Sequence, residues 1–140
     1  MSSRKSRGLR NCNPGNIRKS KVRYKGEKAV STDSAFKQFE SIEAGYRAMF
    51  VLLQTYRIKG YGSTLSQMIA RYAPPVENNT EAYITRVEKS AKICGDTPLD
   101  TLLAEQMIPV VCAMSAVENG VAADYEAVKR GWMMFIEDFG

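Results

Sequence analysis

The chain has 140 residues, 44% hydrophobic and 25% charged, with a net charge of +5. That is one domain's length with room for a real core. No apolar run reaches the roughly 20 residues that span a bilayer, and the basic N-terminus lacks the apolar stretch of a secretory signal. Histidine is absent, which removes the commonest metal ligand and the usual general base. Zinc amidase and Ser-His-Asp readings go with it, and neither a metal nor a cofactor is expected. Cys12, Cys94 and Cys112 form an odd set without C-x-x-C spacing and read as free thiols.

In chain order, residues 1–8 read as a disordered basic tail and 9–140 as a single domain. The segment "NCNPGNI" (11–17) is a loop, because Asn, Pro and Gly at that density mark turns. "VRYKGEKAV" (22–30) and "AFKQF" (35–39) read as two short strands of a hairpin. Ser41 caps a helix ending at Gly60, in which Ile42, Tyr46, Met49, Phe50, Leu53 and Tyr56 recur at helical spacing. Ser63 opens a short helix closed by Pro74 and Pro75. Asn78 or Asn79 caps the helix at 80–92. Thr97, Pro98 and Asp100 open another, which Pro109 splits into 99–107 and 109–119. Asp124 caps the last helix. The expected class is mainly α (α+β), a helical domain with a short N-terminal β-hairpin.

Charge is uneven. Residues 1–28 carry ten Lys and Arg against Glu27 alone, a net of +9, on a body whose net is −4. Such a segment attracts polyanions, including the anionic polymers of cell envelopes, or simply keeps the protein soluble. A nucleic-acid partner is disfavoured: no recognisable module is present, and the aromatics occupy core positions instead of alternating with the cations.

One acid breaks a local rule. In "CAMSAVENGV" (112–121), Glu118 ends a helical run before Asn119 and Gly120. The C-terminal pole of a helix favours cations. A carboxylate there, near Met114 and Val117, has its charged form disfavoured by the dipole and by desolvation. A general acid for glycosidic cleavage is kept protonated in this way; a side chain bent to solvent or capping a neighbour is the plainer alternative. The corner "RYAPPVENNTEAYI" (71–84) offers Tyr72, Glu77, Asn78, Thr80 and Tyr83, groups suited to holding a sugar. "RNCNPGNIR" (10–18) offers Asn11, Asn13, Asn16 and Arg18 as a second, basic-rimmed wall; it lacks the glycine and lysine spacing of a phosphate loop.

The ordered blocks "RGLRNCNPGNIR", "FKQFESIEAGYRAMFVLL", "RYAPPVENNTEAYI" and "VENG" span residues 7–120. They resemble the lysozyme-like phage and prophage proteins marked by G-x-R-N-x-N-P-G-N-I, known as virion structural or endolysin-like muralytic proteins. A more distant similarity is to bacterial glucosaminidases of the lysozyme superfamily. Their N-x-F-G-I-K, F-R-x-Y-x-S and Y-A-T-D-P-x-Y blocks match "NPGNIR", "FKQFES" and "RYAPPVENNTEAY". Their first block, which carries the catalytic Glu, has no upstream counterpart here, whereas "AMSAVENG" resembles it from the other end of the chain. The resemblance implies a circularly permuted lysozyme-like fold in which Glu118 lies beside the loop at 11–18. It also implies peptidoglycan glycan strands as substrate, Glu118 as general acid and Tyr72 as an orienting group. The Asp of the fourth block is Pro here.

A classical hydrolase needs a second carboxylate about 5–10 Å away, and Glu77, Glu27 and Asp33 are the available acids. Transglycosylation or acetamide-assisted hydrolysis needs Glu118 alone. The reading is therefore a peptidoglycan-cleaving glycosidase (muramidase, lytic transglycosylase or glucosaminidase). It would be made in the cytoplasm without a signal peptide and act on the cell wall from the periplasm or from a virion. An inactive glycan-binding or virion structural protein is the alternative.

Overall fold

A computed structural model describes residues 5–76 and 78–140. Six helices and no strand lie among them. The hairpin expected over 22–30 and 35–39 is absent, so the α+β class gives way to an all-helical one.

The short α1 (Arg7–Arg10) is opened by Ser6, whose side chain accepts from the Leu9 amide. It takes in the end of the stretch expected to be a disordered tail, whose first four residues lie outside the described ones. Ser41 opens α2 (Ile42–Lys59) by accepting from Ala44 N, and Gly60 at φ 76° closes it. A capping box between Thr64 and Gln67 starts α3 (Leu65–Tyr72), and Asn79 caps α4 (Thr80–Ala91). The longest apolar run is α5 (Ala104–Asn119), and Asp124 caps α6 (Tyr125–Phe139).

Helices α2 and α6 form the tightest pair. Their seam holds Phe50 edge-on to Trp132, with centroids 5.0 Å apart, and Phe135 5.9 Å from Phe50. Burial stabilises each ring by about 1.5–3 kcal/mol, and the ring geometry adds ~1 kcal/mol per pair. α5 packs on α4 and α6, with Met107, Val110, Val111 and Met114 inside. No helix among the described residues is long and apolar enough to cross a membrane.

Two sequence expectations fail for identifiable reasons. Pro109 does not split the last third of the chain; α5 runs through it. The bond a proline forfeits falls on the Glu105 carbonyl in the first turn of α5, and the buried face beyond it carries the helix. No helix starts at residue 99. Residues 97–99 run extended beside the start of α3, with Leu65 N donating to Thr97 O (3.1 Å) and Leu99 N to Ser63 O (2.8 Å).

The missing hairpin has its cause in Lys37. Residues 35–39 make no strand; their ladder pairing is limited to the isolated bridges Arg18–Phe36 and Glu27–Phe39, with Phe39 N donating separately to Asn11 O (2.9 Å). Lys37 is 1% exposed, and its Nζ donates to Ser20 O (3.3 Å), Val22 O (2.7 Å) and Glu27 Oε2 (3.0 Å). The Ser20 and Val22 carbonyls turn to this ammonium and not to a neighbouring strand, while Gly26 O accepts from Glu40 N (2.8 Å). Val22 and Val30, expected inside a strand, lie exposed.

The loop at 11–18 is seated directly on α2. A Cβ at Gly45 would lie 2.1 Å from Cys12 O. Glycine inside a helix costs about 1 kcal/mol relative to alanine, and here it admits the loop that carries one wall of the site.

Candidate functional site

An open cavity of about 410 Å³ lies between the loop at 11–18, the end of α3 with the Pro74 corner, and the C-terminus of α5. Gly15, Asn16 and Arg18 line one side, Tyr72, Pro74 and Asn78 the other, and Glu118 lies between them. Tyr24, Leu52 and Tyr56 supply apolar surface. Among the described residues Glu118 is the sole carboxylate in the lining.

Glu118 is half-buried near the end of α5, one residue before Asn119 and the left-handed Gly120. Asn16 Nδ2 donates to its Oε1 (2.9 Å), and the Tyr83 hydroxyl donates to its Oε2 (3.0 Å). Burial pushes its pKa up from the ordinary carboxylate value, and the bonds from Asn16 and Tyr83 pull it part of the way back. Both donors are neutral, and no ion pair to Glu118 is made among the described residues. The Tyr83 pKa is itself raised, by burial first and then by the Glu118 charge, so Tyr83 remains a donor.

Asn16 sits at φ 49°, in the left-handed region that Asn tolerates better than most residues. Its Oδ1 is buried without a hydrogen-bond partner. The loop is shaped by the other asparagines. Asn13 is fully buried: its Nδ2 donates to Ile17 O and Lys37 O (2.9 Å each), and its Oδ1 accepts from Ile17 N (2.9 Å). Asn11 Nδ2 donates to Asp33 Oδ2 (3.0 Å), and its Oδ1 accepts from Gln38 Nε2 (2.9 Å). Asn11 and Asn13, expected to touch a ligand, are brackets of the fold instead and line no part of the cavity.

Tyr72 flanks the cavity, and its hydroxyl donates to Gly15 O. Burial, followed by the nearby Tyr83 and Glu118, holds its pKa well above the phenol value. The group expected to orient a substrate thus latches α3 to the loop. Gly15 is required there, because a Cβ would meet that hydroxyl at 2.2 Å. Thr80 is buried and donates to Ala73 O (2.6 Å), closing the corner. Asn78 is exposed at the cavity edge, as is Arg18, whose guanidinium lies 5.4 Å from the Phe36 centroid.

The candidate second carboxylates divide. Glu27 is held by Lys37, and Asp33 is bound by Arg7 at 2.7 Å. The Arg7 bond, with backbone and Asn11 donors, holds the Asp33 pKa well below the carboxylate range. Neither acid lines the cavity. Glu77 lies outside the described residues.

One contributor escaped the sequence reading. Asn119 Nδ2 donates to Pro14 O (2.8 Å) and Ser115 O (2.9 Å), and its Oδ1 accepts from Ser6 Oγ (2.6 Å). It ties the end of α5 to the loop and holds Glu118 against Asn16. An Asn before a helix-ending Gly reads as a stop signal, which hides a tertiary tether.

Fold and site together define a small helical protein in which, among the described residues, one half-buried carboxylate, Glu118, lines the cleft of about 410 Å³. No protein-family model matches the chain. It is 35% identical over 132 residues to Protein P5 of Pseudoalteromonas phage PM2, an alignment that covers 91% of this chain and 80% of that protein. The chain belongs to the family of that phage protein.

Proposed function

We propose that this phage-related protein cleaves the glycan strands of peptidoglycan, with Glu118 as general acid. The observation that carries the reading is the pairing of Glu118, among the described residues, with two neutral donors in a cleft open to a substrate. A half-buried carboxylate without a counter-charge takes up a proton more readily than an ordinary one, as protonation of a leaving sugar oxygen requires. The resemblance of the four sequence blocks to muralytic phage proteins supports the same assignment.

Glu118 donates its proton to the glycosidic oxygen, and the C1–O bond breaks to leave an oxocarbenium-like sugar. Glu27 and Asp33 are bound in ion pairs, so among the described residues Glu118 alone faces the cleft, which suits chemistry that needs one protein carboxylate. In the transglycosylase form, the ionised Glu118 takes the proton of the sugar's own 6-hydroxyl as O6 closes on C1, giving a 1,6-anhydro end. In the assisted form, the acetamide oxygen closes on C1 and water later opens the ring. Asn16 suits both protonation states. Its Nδ2 serves the carboxylate, and a half-turn of the amide presents the unpartnered Oδ1 to the protonated acid.

The test is digestion of purified peptidoglycan by wild type and Glu118→Gln, with soluble products read by mass spectrometry. Anhydro-muropeptides lost in the variant support transglycosylation, and reducing ends lost in the variant support hydrolysis. Lytic activity undiminished in Glu118→Gln overturns the site. A second reading, a glycan-binding or virion structural protein, draws on the two hydrogen bonds Glu118 accepts, which also suit a purely structural acid. Absence of soluble product from wild type favours it.

A further inference from the structure

The basic N-terminal segment is not a loose tail where the structure describes it. Residues 19–31 fold over the buried Lys37 and enclose a second cavity of about 320 Å³. Four cations line it: Lys19, Arg23, Lys28 and the buried Lys37. The carboxylate in its lining, Glu27, is 8% exposed and is matched by the Lys37 ammonium, so that pair adds no net charge. Lys19 and Lys28 make no ion pair among the described residues. Arg23 is aimed by its own loop, donating to Glu27 O (3.3 Å) and Ala29 O (3.4 Å).

The backbone holding these cations is pinned. Lys19 N donates to Ala35 O (2.9 Å), Lys28 N to Gln38 O (2.8 Å) and Glu40 N to Gly26 O (2.8 Å). Three like charges held around one cavity repel each other until an anion joins them. Holding their backbone in advance removes part of the ordering cost that a flexible basic tail would carry on binding.

Ser20 lines this cavity and also the cleft that holds Glu118. The two are therefore neighbours along one surface, joined at a single residue. A cavity of this size takes one or two phosphate groups with the sugar that bears them, whereas a nucleic-acid duplex requires a long basic stripe.

We propose that Lys19, Arg23 and Lys28 form a phosphate-binding site for phosphate-bearing saccharide of the bacterial envelope, adjoining the glycan cleft. The cationic site stands on its own geometry; the choice of saccharide as carrier rests on the glycan-cleaving reading.

The experiment is calorimetric titration of the full chain with tripolyphosphate. Wild type and Glu118→Gln are expected to bind it alike, and Lys19→Gln/Arg23→Gln/Lys28→Gln at least tenfold more weakly. Because Arg23 also supports its loop, Lys19→Gln/Lys28→Gln is measured beside it and is expected to lose several-fold. Undiminished binding in both variants overturns the site. Competition then identifies the carrier. Displacement of tripolyphosphate by glucose 6-phosphate, with no comparable displacement by phosphatidylglycerol vesicles or a DNA duplex, supports the saccharide. Displacement by vesicles alone or by duplex alone overturns that carrier. None of these readings depends on wall digestion, so failure of the enzymatic reading and failure of this site are separable.

Discussion

Glu27 and Glu118 are both acids largely withdrawn from water, and they are treated in opposite ways. Glu27 meets an ammonium: Lys37 Nζ lies 3.0 Å away, itself saturated by two backbone carbonyls. Glu118 meets an amide and a phenol and, among the described residues, no cation. The first arrangement spends its charge on organising a loop that has no sheet to hold it. The second offsets the cost of burying a charge only in part, so the group is readier than an ordinary carboxylate to bind a proton. A buried acid with a counter-ion is a structural part, whereas one with neutral donors beside an open cleft is chemically available.

The contrast can be broken at either acid. Glu118→Gln is expected to lower peptidoglycan cleavage by ~10²–10⁴-fold, the range for loss of a general acid, with the circular dichroism of the fold retained. Lys37→Met strands Glu27 without its partner and is expected to cost ~3–5 kcal/mol in urea denaturation. Adding Glu27→Gln to it should recover most of that loss. A Lys37→Met protein as stable as wild type would remove the ammonium from its place at the centre of the 20–27 segment.

Smaller effects sharpen the comparison. Asn16→Ala removes a donor that favours the ionised carboxylate, so the Glu118 pKa rises further. The alkaline limb of the activity profile should then move to higher pH, with a stability loss of ~1 kcal/mol. Tyr83→Phe should move it in the same direction, and a shift to lower pH in either variant would contradict the assigned hydrogen bonds. Smallest is the linkage effect on folding. The folded pKa of Glu118 is raised, so the folded state holds its proton to higher pH than the unfolded chain. Stability therefore falls as pH climbs from the ordinary carboxylate value near ~4.3 through the raised one. Glu118→Gln lacks that fall, so its melting temperature should exceed wild type's at neutral pH and match it below about pH 4.

Glu118 stood out in the sequence because it breaks a local rule at a helix C-terminus, and such violations collect at functional sites. Asn16 and Tyr83 were legible as polar groups of two separate loop and helix segments, though not as partners of one carboxylate. Asn11 and Asn13 were indistinguishable from Asn16 by composition. Which asparagine brackets the backbone and which reaches the acid depends on neighbours more than 20 residues away, Asp33, Lys37 and Gln38 among them. Asn119 carried a stop signal that masked its tether to Pro14.

By itself the sequence determined where α2, α4 and α6 begin and placed the start of α3 one residue early, at Ser63 in place of Thr64, because a cap and an apolar period act over only a few residues. It also singled out Glu118 as an acid at the wrong pole of a helix, one whose pKa burial does raise. Tertiary structure decided that Lys37 is buried and the hairpin lost, that α5 runs unbroken through Pro109, and that Asn16, out of the loop expected beside Glu118, is the asparagine that bonds it. Each of those outcomes turns on whether a polar group finds a partner far along the chain, and that partner exists only after the helices have packed.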